Sequence, residues 1–370
     1  MNSRDLLEEI RNEVGQPETP ATVDTAPRKL TLRSPDEILA LTFDDSDIIL
    51  GDRLLAEAQS LVIAGQGGLG KTRLAFQMAA CSITRRKFLT WETGGDNLRW
   101  LFLQTENTNR RLKSDLDRLK SWLAGDWEKF NSQVTIHTLE NDSDGFVSLD
   151  DLGNQVAIQS AIDDTQPNII VIDPLTDFGV GDLNKDVDMK ATLQILSRIC
   201  RSGNPRRGIV PLHHALTGKG GAVKATGYDR ASFARNSKVL FAWTRGQINL
   251  APVDPDNYDR LIVGCGKCSN GKEFLPFAIR LNPETFIYEC DPTVDVATWE
   301  REISGQADRG PLMSPARVGE LCKPVSSKAE LAKTIVEDCG CVRCSAYRYI
   351  ARATGRTIKH NKANDTYSPK

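Results

Sequence analysis

Apolar residues between positions 50 and 290 fall into two kinds of pattern. Short continuous runs such as SLVIAG (60–65), WLFLQT (100–105), VTIHTL (134–139), NIIVID (168–173) and GIVPLHH (208–214) read as buried strands. Between them lie stretches with apolar positions three and four apart. TRLAFQMAACSIT (72–84), NRRLKSDLDRLKSWLAG (109–125) and DMKATLQILSRIC (188–200) are predicted helices. Strands alternating with helices predict an α/β fold with a mostly parallel central sheet and crossover helices. Four later runs, KVLFAWTR, LIVGCGK, PFAIRL and FIYEC, come at hairpin spacing without helices between them. They are expected to extend the sheet at one edge.

The flanks differ. Residues 1–16 predict a short amphipathic helix around Leu6, Leu7, Ile10 and Val14, followed by a Pro- and Thr-rich stretch that buries little. Order is expected from Pro35, with DEILALTF as a helix. Residues 292–325, with Gly310, Pro311, Pro315 and Pro324, read as a linker. From residue 328 the pattern predicts helix, tight turn, helix. The expected division is therefore 1–34, a segment without core; 35–291, the α/β domain; 292–325, a linker; and 326–370, a small helical domain.

Composition narrows the classes. Hydrophobic residues make up 40% of the 370-residue chain and charged residues 26%, which is enough to build a core and is ordinary for a globular protein. The net charge of −2 gives no global basic field, so any nucleic-acid surface has to be local. The one basic concentration is the end of the chain. Arg343, Arg348, Arg352, Arg356, Lys359, Lys362 and Lys370 face a single acid, Asp365. No run of about 18 apolar residues occurs, which excludes a helical membrane span. The first residues lack a signal-type apolar region, so the expected location is the cytoplasm, with the nine cysteines reduced. Cys265-x-x-Cys268 and Cys339-x-Cys341-x-x-Cys344 invite a zinc reading, but the first has no second pair nearby, Cys322 would complete a four-Cys set with the tail trio only at an unfamiliar spacing, and buried thiols are the simpler account.

The strongest chemical signal is GQGGLGKT, Gly65 to Thr72, which fits G-x-x-x-x-G-K-[ST] between a strand and a helix. Gly67, Gly68 and Gly70 let backbone N–H groups turn toward phosphate oxygens, and the helix N-terminus adds its dipole. The segment Gly65, Gln66, Gly67, Gly68, Leu69, Gly70, Lys71, Thr72 and Arg73 is the predicted ATP-binding loop. Lys71 reaches the β- and γ-phosphates, and Thr72 ligates Mg²⁺. NIIVIDPLTDF places Asp173 at the end of a buried strand, where it would complete the Mg²⁺ site. Pro174 follows Asp173, so no catalytic acid stands directly after it. Glu106, in LFLQTEN at the end of another strand, is the candidate for polarising the attacking water.

Together these residues resemble the RecA-like hexameric ATPases, and among them the RepA-type replicative helicases of plasmids, over residues 45–285. The resemblance implies a RecA-like P-loop core, ATP and Mg²⁺ as cofactors, and Glu106 as catalytic glutamate. GIVPLHHALTGKG resembles that family's strand ending in His-His and implies that His214 senses the γ-phosphate. FARNSKVLFAW is similar to its Arg-Gly-Ser segment, with Asn236 in place of glycine, and VGCGKCSNGKEF to its Ser-Lys-x-Asn segment, with Gly266 in place of serine. Arg235 and Lys267 would then be cationic fingers reaching a neighbour's ATP. The Gly- and Lys-containing stretch 215–234 resembles the channel loop that tracks single-stranded DNA, with Lys219 and Lys224 on the backbone.

The C-terminal segment resembles a helix-turn-helix of the winged type, too short for a full wing, with Arg348 and Arg352 on the helix that would enter DNA. The expected function is an ATP-driven homo-oligomeric motor, a hexamer by resemblance, translocating on single-stranded DNA with a replication initiator or primase as further partner. Two alternatives stay open: an ATP-dependent recombination or replication regulator without unwinding activity, and a small-molecule kinase.

Overall fold

The structure is a computed structural model, and it describes residues 31–42, 45–139, 147–234, 238–304, 313–339 and 343–370. The chain divides into two compact units, residues 1–44 and 45–370. The expected amphipathic helix at 1–16 and most of the Pro/Thr-rich stretch lie outside the described residues. In the first unit the helix predicted from DEILALTF is short, Pro35–Leu39. It starts with a reciprocal capping box: Glu37 N donates to Ser34 Oγ at 3.3 Å, and Ser34 N donates to Glu37 Oε2 at 2.6 Å.

The second unit is built on a nine-stranded sheet. A two-residue-deep hairpin, β1 (Ile48–Leu50) and β2 (Leu55–Ala56), precedes it. The sheet strands are β3 (Leu61–Gly65), β4 (Trp100–Gln104), β5 (Val134–Ile136), β6 (Ile169–Asp173), β7 (Gly208–His214), β8 (Gly246–Asp254), β9 (Asn257–Cys268), β10 (Phe277–Leu281) and β11 (Tyr288–Cys290). Their order is β11-β10-β9-β8-β3-β7-β6-β4-β5. Strands β8, β3, β7, β6, β4 and β5 are parallel, and β9, β10 and β11 add antiparallel at one edge. The predicted α/β class and mostly parallel sheet are what is observed.

The sheet is covered on both faces, which is why its strands are apolar throughout rather than alternating. Period two still sorts them. Leu61, Ile63, Trp100, Phe102, Ile169 and Val171 face one layer, with the helices Lys71–Thr84 and Asn109–Leu123. Val62, Ala64, Leu101, Leu103, Ile170 and Ile172 face the other, with Leu152–Thr165 and Asp186–Cys200.

Three sequence expectations change. KVLFAWTR is not a strand: residues Lys238–Trp243 are a helix, and the strand beside the P-loop strand is the next segment, Gly246–Asp254. Val239, Leu240 and Trp243 pack on the second layer while Ala242 is exposed, a spacing a helix satisfies and a strand cannot. The supposed linker 292–325 holds a helix, Val296–Ile303, whose Trp299 is buried and donates from Nε1 to Val253 O at 3.2 Å. It also holds Pro315–Leu321, the first helix of the C-terminal module. That module then continues through β12 (Ser326–Ser327), the helices Lys328–Cys339 and Arg343–Ala353, and the hairpin of β13 (Ile358–Asn361) and β14 (Thr366–Pro369). Its small sheet has the order β12-β14-β13, so the expected shortage of a wing is corrected: the hairpin is there. Among the described residues no helix is long and apolar enough to cross a membrane.

Candidate nucleotide site

The predicted phosphate loop leaves the central strand β3 and enters the helix Lys71–Thr84. Gly68 and Gly70 have φ of +79° and +78°, the left-handed region that only glycine enters without strain. Gly70 is constrained twice, because a Cβ there would lie 2.1 Å from the Tyr288 hydroxyl. That hydroxyl donates to Leu69 O at 3.0 Å, and Gln77 pins Tyr288 on both sides through its backbone N (2.8 Å) and O (2.9 Å). Burial pushes the Tyr288 phenol up to about 12, so it stays a proton donor. The loop is thus held from below by the end strand of the sheet, β11.

The Lys71 ammonium donates to Gly65 O at 3.1 Å and Gln66 O at 3.0 Å, folded over the cradle where phosphates would sit. Burial lowers its pKa, and the charges of Asp173 and Glu106 oppose that. The Thr72 hydroxyl donates to Asp173 Oδ2 at 2.5 Å, joining the two motifs directly. Asp173 is 1% exposed, and burial raises its carboxyl to about 6 against the Thr72 hydrogen bond. A hydroxyl and a buried carboxylate side by side at the mouth of a cradle of backbone N–H groups are the hard oxygen donors Mg²⁺ favours, so the residues fit the ion. Arg73, expected at the nucleotide, is engaged elsewhere. It pairs with Asp115 at 3.2 Å and lies 4.4 Å over the Phe286 ring. One residue past Thr72, the helix has already turned its side chain toward the neighbouring helix.

Glu106 stands just beyond β4, and Gln104 sets its position. The Gln104 side chain donates to Asn107 O and His137 O and accepts from Asn107 N, closing the turn around Glu106. Thr105 N donates to Asp173 O at 3.0 Å, so the turn is keyed to the end of β6. Register places His214 opposite Gly65 at the ends of β7 and β3. Period two then buries His213 and turns His214 into the site. His214 Nε2 comes within 3.6 Å of Glu106 Oε1. Contact with His214 holds the Glu106 carboxyl below the usual range, ahead of the charges of Lys71 and Arg111, while burial pulls the other way. Lys71, Thr72, Glu106, Asp173 and His214 are therefore brought together at the carboxyl ends of four parallel strands, β3, β4, β6 and β7, the position the open-sheet rule assigns to ligands.

The expected fingers differ. Arg235 lies outside the described residues. Lys267 is drawn onto its own chain, donating to Phe241 O at 2.6 Å and lying 4.6 Å from that ring. The stretch expected as an open glycine loop is largely short helical turns, Gly218–Ala222, Val223–Ala225 and Arg230–Ser232. Lys219 is exposed and Lys224 half-buried. Arg348 and Arg352 belong to the helix Arg343–Ala353; Arg352 is exposed, and the side chain of Arg348 lies outside the described residues. Among the described residues no cluster of His, Cys, Asp and Glu suits a metal ion of the zinc type.

Three residues were missed by sequence reasoning. Tyr228, in the middle of that loop, is fully exposed between Gly227 and Asp229. Asp177 accepts from the Thr105 hydroxyl at 2.6 Å, and burial raises its pKa, so a second carboxyl stands behind Glu106. Tyr288 carried no local signal at all. The aromatic within a Gly/Lys loop was a readable cue for Tyr228; the other two depend on contacts between distant segments.

A P-loop joined to a strand-end aspartate and glutamate across a central parallel sheet defines a RecA-like ATPase core. Residues 29–221 match the family described as an AAA domain, and the chain belongs to that family, the RecA-like, RepA-type one. Among solved structures, a KaiC-like protein from the hyperthermophilic archaeon Pyrococcus horikoshii aligns at 14% identity over 64% of this chain and 91% of that one, with a TM-score of 0.42. RadB recombinase aligns at 14% identity over 63% and 91%, with a TM-score of 0.41. No curated protein matches the sequence.

Proposed function

We propose that this chain is the subunit of an ATP-hydrolysing oligomeric motor that moves on single-stranded DNA, in the manner of a RepA-type replicative helicase. The observation that carries the reading is the Glu106–His214 contact at the foot of the P-loop. The contact lowers the pKa of a carboxylate beside the P-loop, and that carboxylate would polarise a water in line with the last phosphate. Lys71 would leave its two backbone carbonyls and bind the β- and γ-phosphates, and the loop amides would orient them. Thr72 and Asp173 would hold Mg²⁺, which supplies neutralising charge on the phosphates. Glu106 would orient and polarise the water. His214, on the strand that continues into the Lys219–Lys224 stretch, would report the γ-phosphate to the DNA-facing loop.

Arg235 and Lys267 are proposed as fingers acting on a neighbouring subunit's nucleotide, which for Lys267 requires release from Phe241 on assembly. The test is steady-state ATP hydrolysis with and without single-stranded DNA, on protein sized by light scattering. A ring whose turnover rises several-fold with DNA, and which separates a forked duplex, is the expected result. Stimulated turnover without strand separation would replace the helicase by a recombination or replication regulator. A DNA-indifferent monomer would overturn both.

A further inference from the structure

We propose that residues 313–370 form a second nucleic-acid site, independent of nucleotide, that binds double-stranded DNA through the helix Arg343–Ala353 and the hairpin β13–β14. The order helix, short strand, two helices and a hairpin closes a three-stranded sheet against a three-helix core. Val318, Leu331, Ala332, Ile335, Ile350 and Ile358 are buried in that core. In the helix Arg343–Ala353 the buried positions are Ala346, Tyr349, Ile350 and Ala353, spaced three and four apart. The opposite side, with Ala351 and Arg352, is exposed. Eleven residues make a helix about 16 Å long, of a size to lie in the major groove, roughly 12 Å wide.

The hairpin is held rigidly beside that helix. Ile358 and Tyr367 anchor it in the core. His360 pairs across from Tyr367, stacks on it with centroids 4.5 Å apart at 16°, and contacts Asp365 at 2.7 Å. The register that turns His360 inward turns Lys359 outward, and Lys362 stands at the tip; both are exposed. The occupant follows from charge. In 343–370 seven basic residues meet one acid, and that acid is the one engaged by His360, giving +6 by count. The remaining chain carries −8, since the total is −2. The preceding stretch 313–342 contributes nothing: Arg317, Lys323, Lys328 and Lys333 balance Glu320, Glu330, Glu337 and Asp338. Arg352, Arg356, Lys359 and Lys362 form no ion pair among the described residues. A net-neutral support carrying a cationic helix and a cationic hairpin matches a surface of regularly spaced phosphates on either side of a groove, which duplex DNA presents and a flexible single strand does not.

The test uses the full chain without nucleotide and reads fluorescence anisotropy on a 30-base-pair mixed-sequence duplex and on a 30-nucleotide oligo-dT strand. Lys359→Glu/Lys362→Glu is compared with Lys219→Glu/Lys224→Glu. The hairpin pair is expected to weaken duplex binding about tenfold or more and to flatten the slope of log K against log salt by about 2, with single-strand binding and basal ATP turnover unchanged. Lys359→Arg/Lys362→Arg should restore duplex binding. Duplex affinity that survives the charge reversal, an equal loss on single strands, or wild-type protein that binds no duplex would each overturn the proposal; the last would turn attention to an acidic protein partner. Because nucleotide is absent, failure of the ATPase reading leaves this result untouched.

Discussion

His214 Nε2 lies 3.6 Å from Glu106 Oε1, at the ends of two strands separated in the sheet by β6. This contact is the largest influence lowering the Glu106 pKa. Removing it should raise that pKa toward the ordinary carboxylate value. The acid limb of the kcat–pH profile of His214→Ala should therefore move to higher pH, while Glu106→Gln should bind ATP and turn it over at least 100-fold more slowly. An unmoved acid limb in His214→Ala, or near-normal turnover in Glu106→Gln, would place the base elsewhere.

Asp173 predicts a pH effect on the free protein. Its folded pKa, about 6, is raised from the ordinary 3.8. Between those values the folded state holds the extra proton, so stability falls as pH rises through the window and the full cost stands above pH 6. The shift corresponds to about 3 kcal/mol. Asp173→Asn keeps an acceptor for Thr72, and without Mg²⁺ it should raise Tm at pH 7.5 by roughly 5 °C while changing little at pH 4. With Mg²⁺ and ATP present the order should reverse, since only the wild type gains from ligand. A variant less stable than wild type at pH 7.5 without ligand would show that the ionised carboxylate is stabilised where it stands.

Tyr288→Phe isolates the support under the P-loop. The hydroxyl is the donor to Leu69 O, and its loss leaves a buried carbonyl without it. The expected cost is about 1–3 kcal/mol in stability. Gln77 still pins the backbone, so the loop is loosened and not lost. KM for ATP should rise several-fold with kcat changed less than twofold. A drop in kcat at constant KM would point to a role at the reacting atoms.

Tyr228 stands fully exposed in the loop that carries Lys219 and Lys224. If the loop meets single-stranded DNA as proposed, the ring would be a platform for a stacked base, worth about 1–3 kcal/mol by alanine substitution. Tyr228→Ala should weaken binding of oligo-dT by tenfold or so and reduce DNA stimulation of turnover, with basal turnover intact. Equal binding by the variant would leave only the lysines as contacts.

The parallel core was legible because period-two burial on both faces makes each of its strands a continuous apolar run, and the P-loop because its glycines answer to backbone geometry within eight residues. Asp173 and Glu106 were readable as carboxylates ending such runs. What stayed hidden depends on distant contacts. The helix Lys238–Trp243 is as apolar as a strand, and only its packing on Ser197, where Trp243 Nε1 donates at 3.0 Å, decides the matter. Val296–Ile303 sits in a stretch of low apolar content and is held by the single buried Trp299. The wing strands are four residues each, too short for periodicity to separate from a loop. Arg73 and Lys267 are cations whose partners, Asp115 and Phe241, cannot be inferred from their own neighbourhoods.

Asn249 links the strand beside the P-loop to the loop that carries Tyr228. It lies on β8 opposite Ala64, one residue before the P-loop begins, and its side chain is fully buried. Its amide nitrogen donates to Ala225 O and to Arg230 O, both at 3.0 Å, and its oxygen accepts from Gln247 Nε2 at 2.8 Å. Gly266 on the adjacent strand is required by this arrangement, because a Cβ there would come within 2.6 Å of Gln247 and 2.8 Å of Asn249. The loop that carries Tyr228 is thus fastened at two carbonyls to the strand flanking the P-loop. Asn249→Ala frees both carbonyls while touching no residue that would meet ATP. Basal turnover should stay within about twofold of wild type, and stability should fall by about 1–3 kcal/mol. Stimulation by single-stranded DNA should drop to a small fraction of normal even at saturating DNA, which separates lost coupling from lost binding. Full stimulation in the variant, at saturating DNA, would show that Asn249 does not couple the two.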